Sequence, residues 1–309
     1  MVKQGARRRV ALAGAASFLG RRLLGLLEED GGIARVAALD GAGPVDFKTR
    51  AYQIDLGALS ASERVSEILG AERIDTLVHL AFSAAPRAHP DGELERTKRL
   101  LAGARETPPD TLIVWSHTWL YGASADNPAL AVEDQPLRAP RDEPFLSNKI
   151  AAETEVARYA AEHPETTVMV LRTAPIVGPS SESIVTRYLA QRMLVTLVGF
   201  DPLWQLLHEA DAAFAFKLAV DRPIAGSFNI AGAGALPLSR VVRLSTKPHV
   251  SLFHPLARAA LARLWAHERS AWPPALLPYL RYSCVADRQR ATDVLGFEAA
   301  CSSEEALSS

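Results

Sequence analysis

Short apolar runs alternate with amphipathic stretches along the first 180 residues, and this alternation carries most of the structural information in the chain. Arg9-Val10-Ala11-Leu12-Ala13 reads as a buried strand, followed by a glycine-bearing turn from Gly14 to Ser17. From Phe18 onward, Leu19, Leu23, Leu26 and Leu27 recur at helical spacing, while Arg21, Arg22, Glu28 and Glu29 fall largely on the opposite face. Asp30-Gly31-Gly32 ends that helix, and Val36-Ala37-Ala38-Leu39 is a second buried strand that closes on Asp40.

The pattern repeats. A helix is predicted over 62–69, a strand over 76–81, a charged helix over 93–105 and a strand over 112–115. A Pro-rich loop spans 122–144, a helix 146–162 and a strand 168–171. Strand, helix, strand in this order implies right-handed crossovers, hence an α/β, Rossmann-like doubly wound parallel sheet with its ligand crevice at the carboxyl ends of the strands. After residue 178 the alternation loosens, with helices predicted near 182–194 and 210–220, a strand at 227–230 and a Trp/Pro-punctuated stretch over 252–282. Residues 1–178 are thus expected to form the dinucleotide-binding domain and 179–309 a smaller C-terminal substrate lobe interleaved with it. Residues 302–309 are expected to fray.

Composition narrows the class. The chain has 309 residues, 48% of them hydrophobic, which is enough to bury a sizeable core. A formal net charge of -1 gives no global basic field, which argues against nucleic acid as a partner. Two cysteines, Cys284 and Cys301, make no disulfide framework and fit a reducing, cytoplasmic compartment. Arg7-Arg8-Arg9 before an apolar run mimics a signal sequence. However, the run contains Gly14 and Ser17 and passes into Arg21-Arg22 without a cleavage site, so it reads as strand and helix. No metal is expected, since the histidines show no His-x-x-x-His or Cys/His spacing.

The candidate chemistry begins at Gly14-Ala15-Ala16-Ser17-Phe18-Leu19-Gly20. There the backbone N–H groups and the dipole of the first helix can receive a pyrophosphate. Ser17 stands where a glycine would let the phosphates approach most closely. Asp40, 20 residues beyond Gly20 at the end of the motif, is placed for the adenosine ribose hydroxyls; its charge would repel a 2′-phosphate, so NAD is favoured over NADP.

These landmarks, with others in order along nearly the whole chain, resemble the extended short-chain dehydrogenase/reductase family, of the NAD-dependent epimerase/dehydratase type. Gly14-x-x-Ser17-x-x-Gly20 resembles its glycine motif, and Asp55-Leu56 the pair that contacts the adenine ring. His79-Leu80-Ala81-Phe82 resembles the strand end beside the cofactor, and Tyr121-Gly122 the Val-Tyr-Gly after the catalytic Ser/Thr. Leu171-Arg172 through Gly178-Pro179, His208 through Ala213, Phe228 through Gly232 and Leu295-Gly296-Phe297 are similar to later family segments. The resemblance implies bound NAD, a small-molecule substrate not identified by sequence, and a homodimer formed through the helices at 93–105 and 146–162.

The same comparison shows where the chain departs. In the family a tyrosine, helped by a lysine four residues later, transfers a proton while hydride moves to or from nicotinamide; here the pair is Phe145 and Lys149. An i, i+4 pair shares one helix face, so Lys149 keeps its place at the nicotinamide ribose, but Phe145 can neither accept nor donate a proton. The catalytic Ser/Thr position falls at His117, with the Ser116 and Thr118 hydroxyls beside it. Two readings follow. In the first, the chain binds NAD and its tyrosine-dependent hydride chemistry is lost or reduced, leaving a pseudoenzyme that works as sensor or scaffold. In the second, an active oxidoreductase, epimerase or dehydratase uses His117 as the acid/base on a nucleotide sugar or a hydrophobic alcohol or ketone. Pro175, where the family often has asparagine, is a third difference. Glu133-Asp134 reads as solvated loop charge. The 252–282 stretch, mixing Trp, Pro, Leu and Arg, reads as packing of the small lobe, with a cap over an apolar substrate pocket or contact with a lipid surface as the other options.

Overall fold

The computed structural model describes residues 7–40, 49–81 and 92–309. A seven-stranded parallel sheet is built from β1 (Arg8–Ala13), β2 (Ile33–Asp40), β3 (Arg50–Gln53), β4 (Thr76–His79), β5 (Thr111–His117), β6 (Thr167–Thr173) and a seventh strand, Gly226–Ile230. Its order is β3-β2-β1-β4-β5-β6-seventh, so the direction of winding reverses between β1 and β4. That reversal is where an open α/β sheet leaves a crevice.

Because successive strand residues face opposite sides, the sheet feeds two cores. Val10, Leu12, Val78, Ile113, Met169 and Leu171 pack toward α1 (Phe18–Glu29) and the later helix Glu209–Asp221. Ala11, Ala13, Leu77, Leu112, Val114 and Val170 pack toward α2 (Ala61–Ala71), α3 (Gly92–Glu106) and α4 (Pro144–Glu162). Burial on both faces explains why these strands read as continuous apolar runs. After β6 the chain leaves the sheet and returns to it through Glu209–Asp221 and Gly226–Ile230.

The remaining residues form a lobe with its own core, in which Trp119, Tyr188, Trp204, Trp272 and Tyr279 meet. Trp204 stacks on Trp272 with ring centroids 5.8 Å apart, and Trp119 on Tyr279 at 4.6 Å. The Tyr279 hydroxyl donates to Trp119 O at 2.6 Å, which satisfies the buried polar tip of that ring.

Two expectations are corrected, and one strand is added. The helix expected over 182–194 is only α5 (Ile184–Leu189); Leu194–Leu197, with β-branched Val195 and Thr196, instead pairs in parallel with His249–Leu252. The end of the chain does not fray. Ser302 and Glu305 form a reciprocal capping box that starts the helix Ser303–Ser308. The strand Arg50–Gln53 was missed because its exposed sequence, Arg-Ala-Tyr-Gln, has no apolar pattern. Among the described residues no helix is long and apolar enough to cross a membrane.

Candidate active site

The glycine turn sits at the reversal point. Gly14 adopts φ +90°, and a Cβ on it would lie 2.6 Å from the Leu80 carbonyl carbon, so only glycine lets the end of β1 touch the end of β4. A Cβ on Gly20 would meet Gly14 O at 2.1 Å, which fixes the close packing of α1 on the turn. Ser17 caps the helix: its Oγ accepts from Gly20 N at 3.0 Å and donates to Gly14 O at 2.7 Å. The N–H groups of Phe18 and Leu19 have no acceptor among the described residues, so two donors at the positive end of α1 stay available to an anion. Asp40 ends β2, level with Gln53 of β3. Asp55 is exposed and accepts from Gly57 N at 2.8 Å, while Leu56 is buried and Ala81 half-buried beside Gly14. Phe82 lies outside the described residues.

Across the crevice, α4 presents Phe145 and Lys149 on one face. The Lys149 ammonium lies 4.7 Å from the centre of the Phe145 ring and is paired, buried, with Glu93 of α3 at 2.9 Å. The lysine is therefore where it would act on a tyrosine hydroxyl, and the ring beneath it has none. His117 ends β5. Its Nδ1 accepts from Trp119 N at 3.1 Å, which places the proton of the neutral ring on Nε2. Burial first, and then the charge of Lys149, lower its pKa to about 3. The side chain expected as an acid/base thus stands neutral, as a donor through Nε2 that cannot accept there. His79, at the end of β4, is lowered to about 3 by burial, Lys149 and Arg96. Thr118 is buried beside His117.

Ser116 does not face the crevice as a spare hydroxyl; it donates to Glu153. Glu153 in turn holds Arg172 through both carboxylate oxygens, at 2.7 to 3.2 Å. Arg172 also donates to the Tyr121 hydroxyl and to Glu133 O, each at 2.9 Å, and Tyr121 donates to Asn229 Oδ1 at 2.7 Å. Burial pushes the Tyr121 phenol up to about 12, despite Arg172 beside it. Glu133, expected as solvated charge, is buried and accepts from Asn229 N at 2.8 Å; its neighbour Asp134 is the exposed one. Four landmarks that are scattered in the sequence are one buried polar network.

Sequence reasoning missed Glu93, Glu153 and Glu143. Glu153 was findable, since it follows Lys149 by four residues on the same face. Glu143 precedes α4 and caps it, accepting from Phe145 N at 3.4 Å. It is 4% exposed and has no cation partner among the described residues. Burial, with a smaller push from Asp142, raises its carboxyl to about 7, and the Phe145 N–H only partly opposes this. A raised acid has a definite sign. It costs nothing below the ordinary pKa of 4.5, its cost grows as pH rises from there through about 7, and the cost is then constant. Glu143→Gln should accordingly gain stability over the parent across that window, by about 3 kcal/mol at pH 8. Unfolding in urea at a series of pH values measures it, and parallel curves for the two proteins would show that Glu143 is solvated.

The sequence profile of the NAD-dependent epimerase/dehydratase family matches residues 10–231 of this chain. Uncharacterized protein Rv0501 of Mycobacterium tuberculosis (strain H37Rv) is 30% identical, with 96% of this chain and 82% of that protein covered. Among solved structures, the UDP-glucose 4-epimerase of Thermotoga maritima with UDP-glucose is similar in fold, at a TM-score of 0.74 and 17% identity over 97% of this chain and 96% of that one. A tyrosine-to-phenylalanine mutant of the UDP-glucuronic acid 4-epimerase of Bacillus cereus, in complex with UDP-4-deoxy-4-fluoro-glucuronic acid and NAD, has a TM-score of 0.73 and 16% identity, with the same coverage.

Proposed function

The chain belongs to the NAD-dependent epimerase/dehydratase family, and on that premise we propose that it binds NAD between β1 and β4 without the tyrosine-driven proton transfer. The observation that carries this reading is the Phe145–Lys149 pair, assembled on one face of α4 with the ammonium over a ring that has no hydroxyl. The described part of the cofactor site supports this: the Gly14 approach, the two available N–H groups of Phe18 and Leu19, and the place of Asp40 at the end of β2. That a tyrosine-to-phenylalanine mutant of a fold neighbour is in complex with NAD supports binding that outlasts the loss of a hydroxyl.

NAD would supply the hydride acceptor. Lys149, steadied by Glu93, would hold the nicotinamide ribose, and His117 would offer its Nε2–H to a substrate oxygen. Held neutral with its proton on Nε2, His117 would orient a substrate rather than deprotonate it. The rival reading needs His117 to accept at Nε2, and the Trp119 N–H at Nδ1 speaks against that tautomer. The expected role is therefore a cofactor-dependent sensor or scaffold with reduced turnover.

Calorimetric titration with NAD tests the reading. Micromolar affinity is expected, falling about tenfold or more in Asp40→Ala through the lost ribose contacts. Ser17→Gly should bind several times more tightly, because it removes a side chain where the phosphates approach and frees the Gly20 N–H that Ser17 now occupies, and costs only a few tenths of a kcal/mol in capping. A parent protein that binds no NAD at millimolar concentration would overturn the proposal.

A further inference from the structure

We propose that the outer face of the C-terminal lobe docks on an anionic lipid bilayer, with Phe253 and Leu256 entering the interface and Arg243 and Lys247 receiving phosphate headgroups. Charge asymmetry comes first. Between Arg240 and Arg290 the chain carries nine Lys and Arg against two acids, Glu268 and Asp287, although the whole protein has a net charge of -1. Arg243, Lys247, Arg258, Arg263 and Arg269 form no ion pair with any described residue, unlike the buried Lys149 and Arg172 near the crevice, which are paired with Glu93 and Glu153.

The second observation is apolar exposure in the middle of that charge. Phe253 is 66% exposed and Leu256 60%, at the start of the helix His254–Ala266, of which only Ala257 and Leu261 are fully buried. Arg263 follows Leu256 by seven residues and so lies on the same face. Val198, 40% exposed, donates its N–H to Leu252 O at 3.0 Å and joins this knob to a groove of about 860 Å³. Arg243, Lys247, His249, Thr246 and Ser251 line the groove.

The third is a strained residue in that lining. Thr246 follows the helix Leu238–Leu244 with φ +54°, a conformation that a β-branched side chain adopts rarely and that glycine would take without cost. Thr246 nonetheless lines the groove.

A bilayer fits this combination better than a nucleic acid does. Phosphates alone would be served by the cations, whereas two exposed hydrophobic side chains among them match the boundary between headgroups and acyl chains. Each basic side chain close to an anionic leaflet adds about a fivefold gain in partitioning.

Flotation of the full chain with vesicles of phosphatidylcholine alone, or mixed with phosphatidylglycerol, tests this, with thermal unfolding confirming that each variant is folded. Mixed vesicles should bind at least about tenfold better, and salt should weaken the binding. Phe253→Ser with Leu256→Ser should abolish retention on both, and Arg243→Gln with Lys247→Gln should remove the preference for the anionic lipid. Thr246→Gly should melt higher than the parent and yet bind the mixed vesicles more weakly. Equal partition onto the two vesicle types, or retention unchanged in both double variants, would overturn the proposal. So would binding to duplex DNA that matches the vesicle affinity and ignores the Phe253 and Leu256 changes. NAD titration is independent of every one of these readouts, so failure of docking leaves the cofactor reading standing.

Discussion

Glu153→Ala is expected to lower the free energy of unfolding by about 3 to 5 kcal/mol, among the largest effects of any single substitution in this protein. The reason lies in what is left behind. Arg172 is buried, and burial alone would lower its pKa, yet the hydrogen bonds and charge of Glu153 more than reverse that and hold it above its ordinary value. Removing Glu153 strands a guanidinium away from water and deprives Ser116 of its acceptor. Glu153→Leu combined with Arg172→Met should recover most of the loss, since a well-packed apolar pair replaces both charges. An exposed ion pair gives the contrast. Arg158 is 58% exposed beside Glu155, and Arg158→Gln should cost less than about 1 kcal/mol. Urea unfolding of the four proteins decides the matter, and a Glu153→Ala cost as small as that of Arg158→Gln would mean that water reaches the network.

That network also marks the limit of what could be read from sequence. The β1 strand, the glycine turn and α1 were legible because each is local: an apolar run, a special backbone position, a 3.6-residue period. Tyr121, Arg172, Glu133 and Asn229 were legible only as separate landmarks. What joins them is strand register, for Ser116 lies opposite Arg172 and Arg172 opposite Asn229, one row across three neighbouring strands. Nothing in the spacing of 116, 172 and 229 states that row. The partner of Lys149 was hidden for the same reason, since Glu93 sits 56 residues away on another helix. The character of His117 was hidden more deeply. An isolated histidine suggests a neutral-range base, and only the Trp119 N–H at Nδ1 and the burial of the ring turn it into a fixed donor. The end of the chain is the opposite case, because Ser302-x-x-Glu305 is a capping signal readable from four residues.

Phe145→Tyr should return a proton-transfer group to a site that has kept its other parts. The ring already lies under Lys149, so the new hydroxyl would extend into the field of an ammonium that favours tyrosinate. Burial works against ionisation, as in Tyr188, whose phenol is pushed up by desolvation alone. The two effects separate in further variants. Lys149→Met in the Phe145→Tyr background should raise the tyrosine pKa by about one to three units, and Glu93→Gln should lower it by freeing the lysine charge. Tyrosinate absorbance, taken as a difference from the parent, reads this without any substrate. If the lysine shifts the titration as expected, hydride transfer to NAD from a substrate should rise by roughly 10² to 10⁴ over the parent, the usual contribution of a positioned acid/base. A titration that ignores both Lys149 and Glu93 would mean that the new hydroxyl points away from the ammonium, and that the site has lost geometry as well as an oxygen.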